Sequence, residues 1–253
     1  MKPRSLILGI AAVAAAGGSF ALPTVASASV TVPFINQVDI KLVSPSTITS
    51  GGAYELQVLA GGGSSLCSFG LYRYTSYAGG WQYLGRYSGT STTDELQDYF
   101  DYTEYGMIPY DCNGNQGSEN YSQSFYPNTW DNAFGLVAGS AVYTYSSKYY
   151  GGSALQTTTG LGTEVQWYTD DSFNDGIVIG TGPQGGIGTV YINGVKKGTI
   201  NFYASTIHGM KLAFKFGTYT AEYNTILIRM TGSSHGGHAM YLDAGVENNV
   251  YKH

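Results

Sequence analysis

Charged side chains are scarce in this chain of 253 residues: only 11% are Asp, Glu, Lys or Arg, and the 17 acids outnumber the 12 Lys and Arg. Exposed helix faces are normally filled with Glu, Lys and Arg, so this composition argues against a helical protein. No basic cluster exceeds the pair Lys196-Lys197. Nucleic acids and anionic membranes select for basic surfaces, so we expect neither as a partner.

Long apolar runs are also missing, apart from one near the start. Residues 6–16 are apolar, follow Lys2 and Arg4, and lead to small residues ending at Ala28. A basic start, a short apolar stretch and an Ala-x-Ala site are typical of a cleaved secretory leader, and a membrane span needs about 20 apolar residues. We expect residues 1–28 to be a signal peptide and the rest to be secreted to the extracellular space, without membrane insertion.

Cysteine occurs only twice, at Cys67 and Cys112. Both would reach an oxidising compartment, where disulfides form and persist. The sequence therefore predicts one disulfide between them.

Glycine and tyrosine are abundant instead, with 36 and 23 residues. Tyr, Thr and Val favour pleated strands, and short alternating segments separated by turn-forming residues run through the whole chain. The composition changes near Pro127, so we predict two domains: residues 29–126 as an immunoglobulin- or fibronectin III-like sandwich, and residues 130–253 as a jelly roll. The expected fold class is all-β.

The clearest local pattern is a hairpin. Residues 189–192 and 198–202 alternate between apolar and polar side chains, as expected of strands with one buried face. Asn193 and Gly194 lie between them, and both tolerate a positive φ angle. The pair predicts a tight type I′ turn.

This hairpin resembles the V-Y-V-D-G core of a jelly-roll module in secreted actinomycete proteins, which is similar to galactose-binding-like carbohydrate-binding modules. The resemblance extends over residues 141–246 and includes Tyr149-Tyr-Gly-Gly-Ser153, Val165-Gln-Trp-Tyr168 and Tyr241-Leu-Asp-Ala244. The chain departs from the pattern at Asn193, where Asp is usual, and in the acidic loop at 170–175. The resemblance implies a jelly roll that binds outside the cell and does not catalyse.

Several catalytic patterns occur without the structure they need. Residues 180–185 match G-x-G-x-x-G and residues 232–236 match G-x-S-x-G, but each leads into a predicted strand instead of a helix. The acids form no recognisable pair across a cleft, as a glycosidase requires. We expect no enzyme activity, while a hydrolase with an unrecognised site stays open as a third alternative.

Metal ligands are similarly incomplete. His235 and His238 lack a third ligand at fixed spacing, and Phe173 stands where the acidic loop would need an oxygen ligand for calcium. The resemblance to carbohydrate-binding folds implies instead that a structural calcium would lie near Asp243.

Aromatic residues supply the remaining functional signal, since Tyr and Trp offer flat faces to sugar rings. Tyr149, Tyr150 and Phe173 are the predicted ligand-binding residues, and Trp167 is assigned to the core. The preferred function is recognition of polysaccharide or cell-surface glycan. The alternative is a structural or adhesive protein that binds another protein. Coplanar exposed rings on one loop face favour the first, and a broad mixed patch favours the second.

Overall fold

Strands make up nearly all regular structure in residues 32–44, 46–96, 102–169, 174–217 and 223–250, which are the ranges described by the computed structural model. The first half contains β1 (Gln37–Leu42), β2 (Ser46–Thr47), β3 (Tyr54–Gly61), β4 (Ser68–Thr75), β5 (Gly80–Ser88), β6 (Ser91–Leu96), β7 (Thr103–Tyr110), β8 (Asn120–Tyr121) and β9 (Phe125–Asp131). The second half contains β10 (Gly135–Ala138), β11 (Ala141–Tyr145), β12 (Ser153–Thr157), β13 (Glu164–Thr169), β14 (Asp175–Thr181), β15 (Gly186–Ile192), β16 (Val195–Asn201), β17 (His208–Phe216), β18 (Asn224–Ser233) and β19 (Tyr241–Val250).

The all-β class is confirmed. A single 3-10 turn at Tyr150–Gly152 is the one helical element in the described ranges. No helix there is long and apolar enough to cross a membrane. The predicted leader at residues 1–28 and Phe173 lie outside the described residues.

Three sheets form the architecture. A central sheet runs in the order β2-β17-β14-β19-β9-β7-β4-β5, with β8 beside β7 and the β11–β12 pair attached to β19. A three-stranded sheet has the order β1-β3-β6, and a five-stranded sheet has the order β10-β13-β18-β15-β16. The strand pairs within all three sheets are antiparallel.

Two apolar cores lie on opposite faces of the central sheet because side chains alternate along each strand. Val178 and Val246 point into the first core, together with the three-stranded sheet and with Phe69 and Met107 of the first half. Neighbouring side chains such as Ile177 enter the second core with the five-stranded sheet, which completes a β-sandwich.

The segment around Pro127, expected to separate the two predicted domains, lies in strand β9. Its seven residues pair with β19, from Phe125 opposite Val250 to Asp131 opposite Ala244. The first core also contains side chains from both predicted domains, and the described residues from Val32 onward form one compact unit. The structure therefore joins the two halves through a sheet and a core, and the domain boundaries stay a prediction.

Two local predictions are confirmed. Cys67 and Cys112 form the disulfide, with Cα atoms 5.1 Å apart. Strands β15 and β16 form the expected hairpin, with φ angles of 49° at Asn193 and 76° at Gly194.

Candidate functional site

A group of aromatic side chains projects from the face of the central sheet opposite the first core. On β4 the alternation places Phe69 and Leu71 inside and Tyr72 and Tyr74 outside. This aromatic patch comprises Tyr72, Tyr74, Trp81, Tyr83, Tyr102, Tyr121 and Tyr126.

Five of the rings touch in series, in the order Tyr121, Trp81, Tyr74, Tyr102 and Tyr126, and Tyr72 and Tyr83 form a pair 5.0 Å apart. The Trp81 ring centroid lies 5.7 Å from that of Tyr74 and 5.3 Å from that of Tyr121. Tyr74 continues to Tyr102 at 5.6 Å. Adjacent rings are inclined by 47° to 83°, so the patch is a series of tilted faces and not one plane.

A glycine, Gly106, lies beneath the rings of Trp81 and Tyr121. A Cβ atom at Gly106 would come within 3.2 Å of Trp81 Cζ3 and 3.3 Å of Tyr121 Cδ1. Trp81 nevertheless keeps 43% of its surface exposed, and Tyr83 keeps 57%. Trp81 is therefore supported from below, and both Trp81 and Tyr83 are open to a ligand.

Polar groups border the rings. The Tyr102 hydroxyl donates to Glu104 at 3.2 Å, and Glu119 accepts a hydrogen bond from Tyr121, which raises the pKa of that phenol. The Arg86 guanidinium lies 3.9 Å from the centre of the Tyr110 ring. Aromatic faces and hydrogen-bonding groups thus occur side by side.

The predicted contact residues Tyr149 and Tyr150 lie elsewhere. Tyr149 is only 3% exposed, and its ring packs below Gly180 and Gly209. Burial raises its pKa to about 12, and its hydroxyl has no hydrogen-bond partner among the residues that the structure describes. Tyr150 is half-buried against the first core. These two rings are structural neighbours of the core, and they do not form an exposed stacking face.

Asp243 holds backbone together instead of presenting an open ligand. Its carboxylate is fully buried and accepts N–H groups of Tyr150 at 2.8 Å and Met210 at 2.6 Å. Burial raises its pKa to about 7, although the two N–H donors oppose that shift.

The surroundings of Asp243 do not fit the implied calcium. Calcium takes about six to eight oxygen ligands. Both carboxylate oxygens of Asp243 accept hydrogen bonds from backbone N–H groups. A neighbouring carboxylate, that of Asp131, raises the pKa of Asp243 by charge repulsion. In the described parts of the chain, no three His, Cys, Asp or Glu side chains are grouped to hold a metal ion.

The two histidines considered as metal ligands, His235 and His238, pack against different neighbours. The His235 ring stacks on Tyr203 with centroids 3.8 Å apart, while His238 packs near Gly160. Of the two dismissed glycine patterns, the first links β14 directly to β15, which excludes the helix that a dinucleotide site needs.

No family model and no curated protein matches this chain. Solved structures similar to it include a family 35 carbohydrate-binding module from an environmental isolate, at 17% identity, covering 47% of this chain and 90% of that one, with a TM-score of 0.36. A CBM36 module in complex with calcium and xylotriose has 19% identity, coverage of 48% and 98%, and a TM-score of 0.34.

An exo-β-1,3-galactanase from Phanerochaete chrysosporium has 11% identity, coverage of 85% and 69%, and a TM-score of 0.35. These scores are too low to assign the chain to any of these families.

Sequence reasoning missed the aromatic patch, although a signal for it was present. Tyr72 and Tyr74 are spaced by two, as are Trp81 and Tyr83, and a short turn separates the two pairs. Period two on both arms of a hairpin places all four rings on one face.

Proposed function

We propose that this protein is a secreted, non-catalytic protein that binds polysaccharide through the aromatic patch. The observation that carries the proposal is the pair of exposed rings, Trp81 and Tyr83, fixed on a sheet face beside carboxylates and phenols. Aromatic faces stack on the C–H faces of sugar rings, and the polar groups at their edges bond hydroxyls. A strand-borne site is also more rigid than one on loops.

The inclination of the rings favours a particular form of ligand. A flat crystalline surface needs coplanar rings, whereas adjacent rings of the patch are tilted by 47° to 83°. A single polysaccharide chain can turn successive sugar units toward differently oriented faces. We therefore propose soluble or amorphous chains as the ligand.

The carboxylates of the patch support a binding role. Glu104 and Glu119 each accept a hydrogen bond from a tyrosine hydroxyl. These bonds fix the rings, and a glycosidase would instead direct two carboxyl groups at one bond of the substrate. Secretion is supported by the disulfide, since such bonds persist in oxidising compartments.

The second candidate function, adhesion to another protein, is favoured by the breadth of the patch and by the tilt of its rings. Exposed aromatic residues with Arg at the edge, here Arg86, are also common in protein interfaces. The two functions differ in whether sugar alone is bound.

Affinity electrophoresis tests the proposal: the full secreted chain is run in native gels that contain soluble xylan, β-glucan, mannan or galactan. We expect at least one polysaccharide to retard the protein. Trp81→Ala and Tyr83→Ala should each weaken that binding about ten- to hundredfold, as for central anchors in other interfaces.

The matched control is Tyr168→Ala, on the outer face of the five-stranded sheet, where Tyr168 is 66% exposed. It should leave retardation unchanged. If no polysaccharide retards the wild-type protein, or if all three variants behave alike, the adhesive function replaces the one proposed.

A further inference from the structure

We infer that a second, separate site binds a phosphate group in a pocket of about 650 Å³ at the β2–β17 edge of the central sheet. Its polar lining residues are Ser46, Thr47, Ser147, Lys148, His208 and Lys211. The lining contains two lysines, a histidine and three hydroxyl groups, and it contains no acid. In a chain with a net charge of −5, this is a local concentration of positive charge.

The two segments that carry the cations are fastened together. Lys148 Nζ donates to the Ile207 carbonyl at 2.8 Å, which holds its ammonium group at the rim. A Cβ atom at Gly209 would lie 2.0 Å from the Lys148 carbonyl oxygen, so only glycine permits this approach. Below them, Asp243 binds the backbone N–H groups of Tyr150 and Met210. The pocket is therefore built before any ligand arrives.

Donors remain free to meet a ligand. Lys211 lies opposite Thr47 in the β2–β17 register, and Lys211 Nζ makes no hydrogen bond or ion pair with any described residue. Lys148 uses one of its three ammonium hydrogens on Ile207. His208 Nε2 is paired with Thr206 Oγ1 at 2.9 Å, which leaves the other ring nitrogen available.

The donor types favour phosphate over carboxylate. A planar carboxylate is matched by the two-pronged guanidinium of Arg, and the pocket contains no Arg. Lysine acts as a point charge and is a common phosphate ligand. The hydroxyls of Thr47 and Ser147 lie on two separate segments, which suits an anion whose oxygens point in several directions, while the Ser46 hydroxyl donates to the Val43 carbonyl. The volume also exceeds that of a bare ion and lies within the range of about 300–1,000 Å³ found for small-molecule pockets.

The pocket is distinct from the aromatic patch. Five inter-strand steps separate β17 from β4 in the central sheet. At about 4.8 Å per step, the path along the sheet between the two strands is roughly 24 Å. A sugar bound at the patch therefore does not fill this pocket. If polysaccharide binding at the patch is not observed, phosphate binding at the pocket can still be tested, and the reverse is also true.

The test titrates the full chain with inorganic phosphate, glucose 6-phosphate and glucuronate, and follows backbone amide NMR signals. We expect glucose 6-phosphate to shift the signals of residues 147–148 and 208–211. Glucuronate should bind at least tenfold more weakly. Equal affinity for the free ion and the sugar ester would identify phosphate itself as the ligand, and tighter binding of the ester would identify a phosphorylated sugar.

Two double variants remove the same charge from different places. Lys148→Ala with Lys211→Ala should reduce phosphate affinity at least tenfold, while Lys196→Ala with Lys197→Ala on β16 should leave it unchanged. Lys148→Arg with Lys211→Arg, which keeps the charge, should retain binding. The inference is overturned if the wild-type protein binds neither phosphate probe, if glucuronate binds equally well, or if both alanine pairs lose affinity alike.

Discussion

Trp81 rests on Gly106, two strands away across the central sheet. A Cβ atom at Gly106 would lie 3.2 Å from Trp81 Cζ3, and the neighbouring strand supplies Tyr74 to the side of the indole. The absence of a side chain at this position of β7 leaves the space in which the indole ring lies. The orientation of Trp81 therefore depends on Gly106.

Gly106→Val should displace the Trp81 ring without unfolding the protein. The atoms that an added side chain would meet belong to the surface side chains Trp81, Glu119 and Tyr121. We expect a shifted tryptophan emission maximum, weaker polysaccharide binding and a free energy of unfolding that changes by less than about 1 kcal/mol. In a Trp81→Phe background the same substitution should leave the emission unchanged. An unaltered spectrum in the single variant would show that Gly106 does not position the ring.

Tyr149 should prove important for stability and its hydroxyl unnecessary. The ring is buried, so Tyr149→Ala should lower the free energy of unfolding by about 3–5 kcal/mol. Tyr149→Phe removes a buried hydroxyl that lacks a partner, and we expect it to raise stability by about 1 kcal/mol. Urea unfolding measures both. A Tyr149→Phe variant as unstable as Tyr149→Ala would mean that the hydroxyl does have a partner.

Asp243 should make the protein less stable as pH rises toward neutrality. Its pKa is about 7 in the folded state and 3.8 in the reference state, so between these values the folded chain binds the extra proton. The stability contributed by the protonated group is complete below pH 3.8 and is lost as pH rises through about 7. The slope is about 1.4 kcal/mol per pH unit in that window, as an upper limit.

Urea unfolding at pH 5 and pH 7 checks this dependence. Wild-type protein should lose more stability between the two values than Asp243→Asn, which cannot titrate. Calcium in millimolar amount should leave the wild-type values unchanged. Parallel pH profiles of the two proteins would contradict the prediction, and stabilisation by calcium would restore the metal site that the resemblance implies.

A fragment of residues 130–253 should not fold cooperatively. It lacks most of β9, and it exposes Val178, Leu212 and Val246, which the full chain buries against the first half. Each side chain contributes roughly 1.5–3 kcal/mol when buried. A fragment of residues 123–253 keeps β9 but exposes the same three side chains, so it should not fold cooperatively either, and only the full chain should show a cooperative transition. Thermal unfolding followed by circular dichroism distinguishes the full chain from the fragments, and a cooperative transition in the shorter fragment would support the predicted domain boundary.

Local patterns in the sequence predicted the elements that local forces determine. The hairpin around Asn193 and Gly194 follows from alternation and turn geometry alone, and it is present as predicted. The disulfide follows from the count of two cysteines. Both inferences need no knowledge of distant contacts.

Other features depend on contacts far apart in the sequence. Residues 92–96 include two acids, which are poor strand formers, yet these residues make up most of β6. Asp94 is accommodated there because it pairs with Arg73 at 2.8 Å and accepts from the Tyr105 hydroxyl at 2.7 Å. Tyr149 has Ser, Lys and Gly as neighbours in the sequence, a composition that favours exposure. Its burial depends on Gly180 and Gly209, which lie some 30 and 60 positions further along.

The central sheet also determines where the molecule yields under tension. If a bound polymer pulls on the patch while the β2 edge of the central sheet is held, the force passes through each pair of neighbouring strands in turn. Strands β9 and β19 share seven register pairs, whereas the described residues of β7 and β9 share one, Thr103 with Phe125. Backbone hydrogen bonding therefore resists least at the β7–β9 step. At that step the applied force is resisted by the apolar packing of Tyr105 against Phe125, whose ring centroids are 6.4 Å apart.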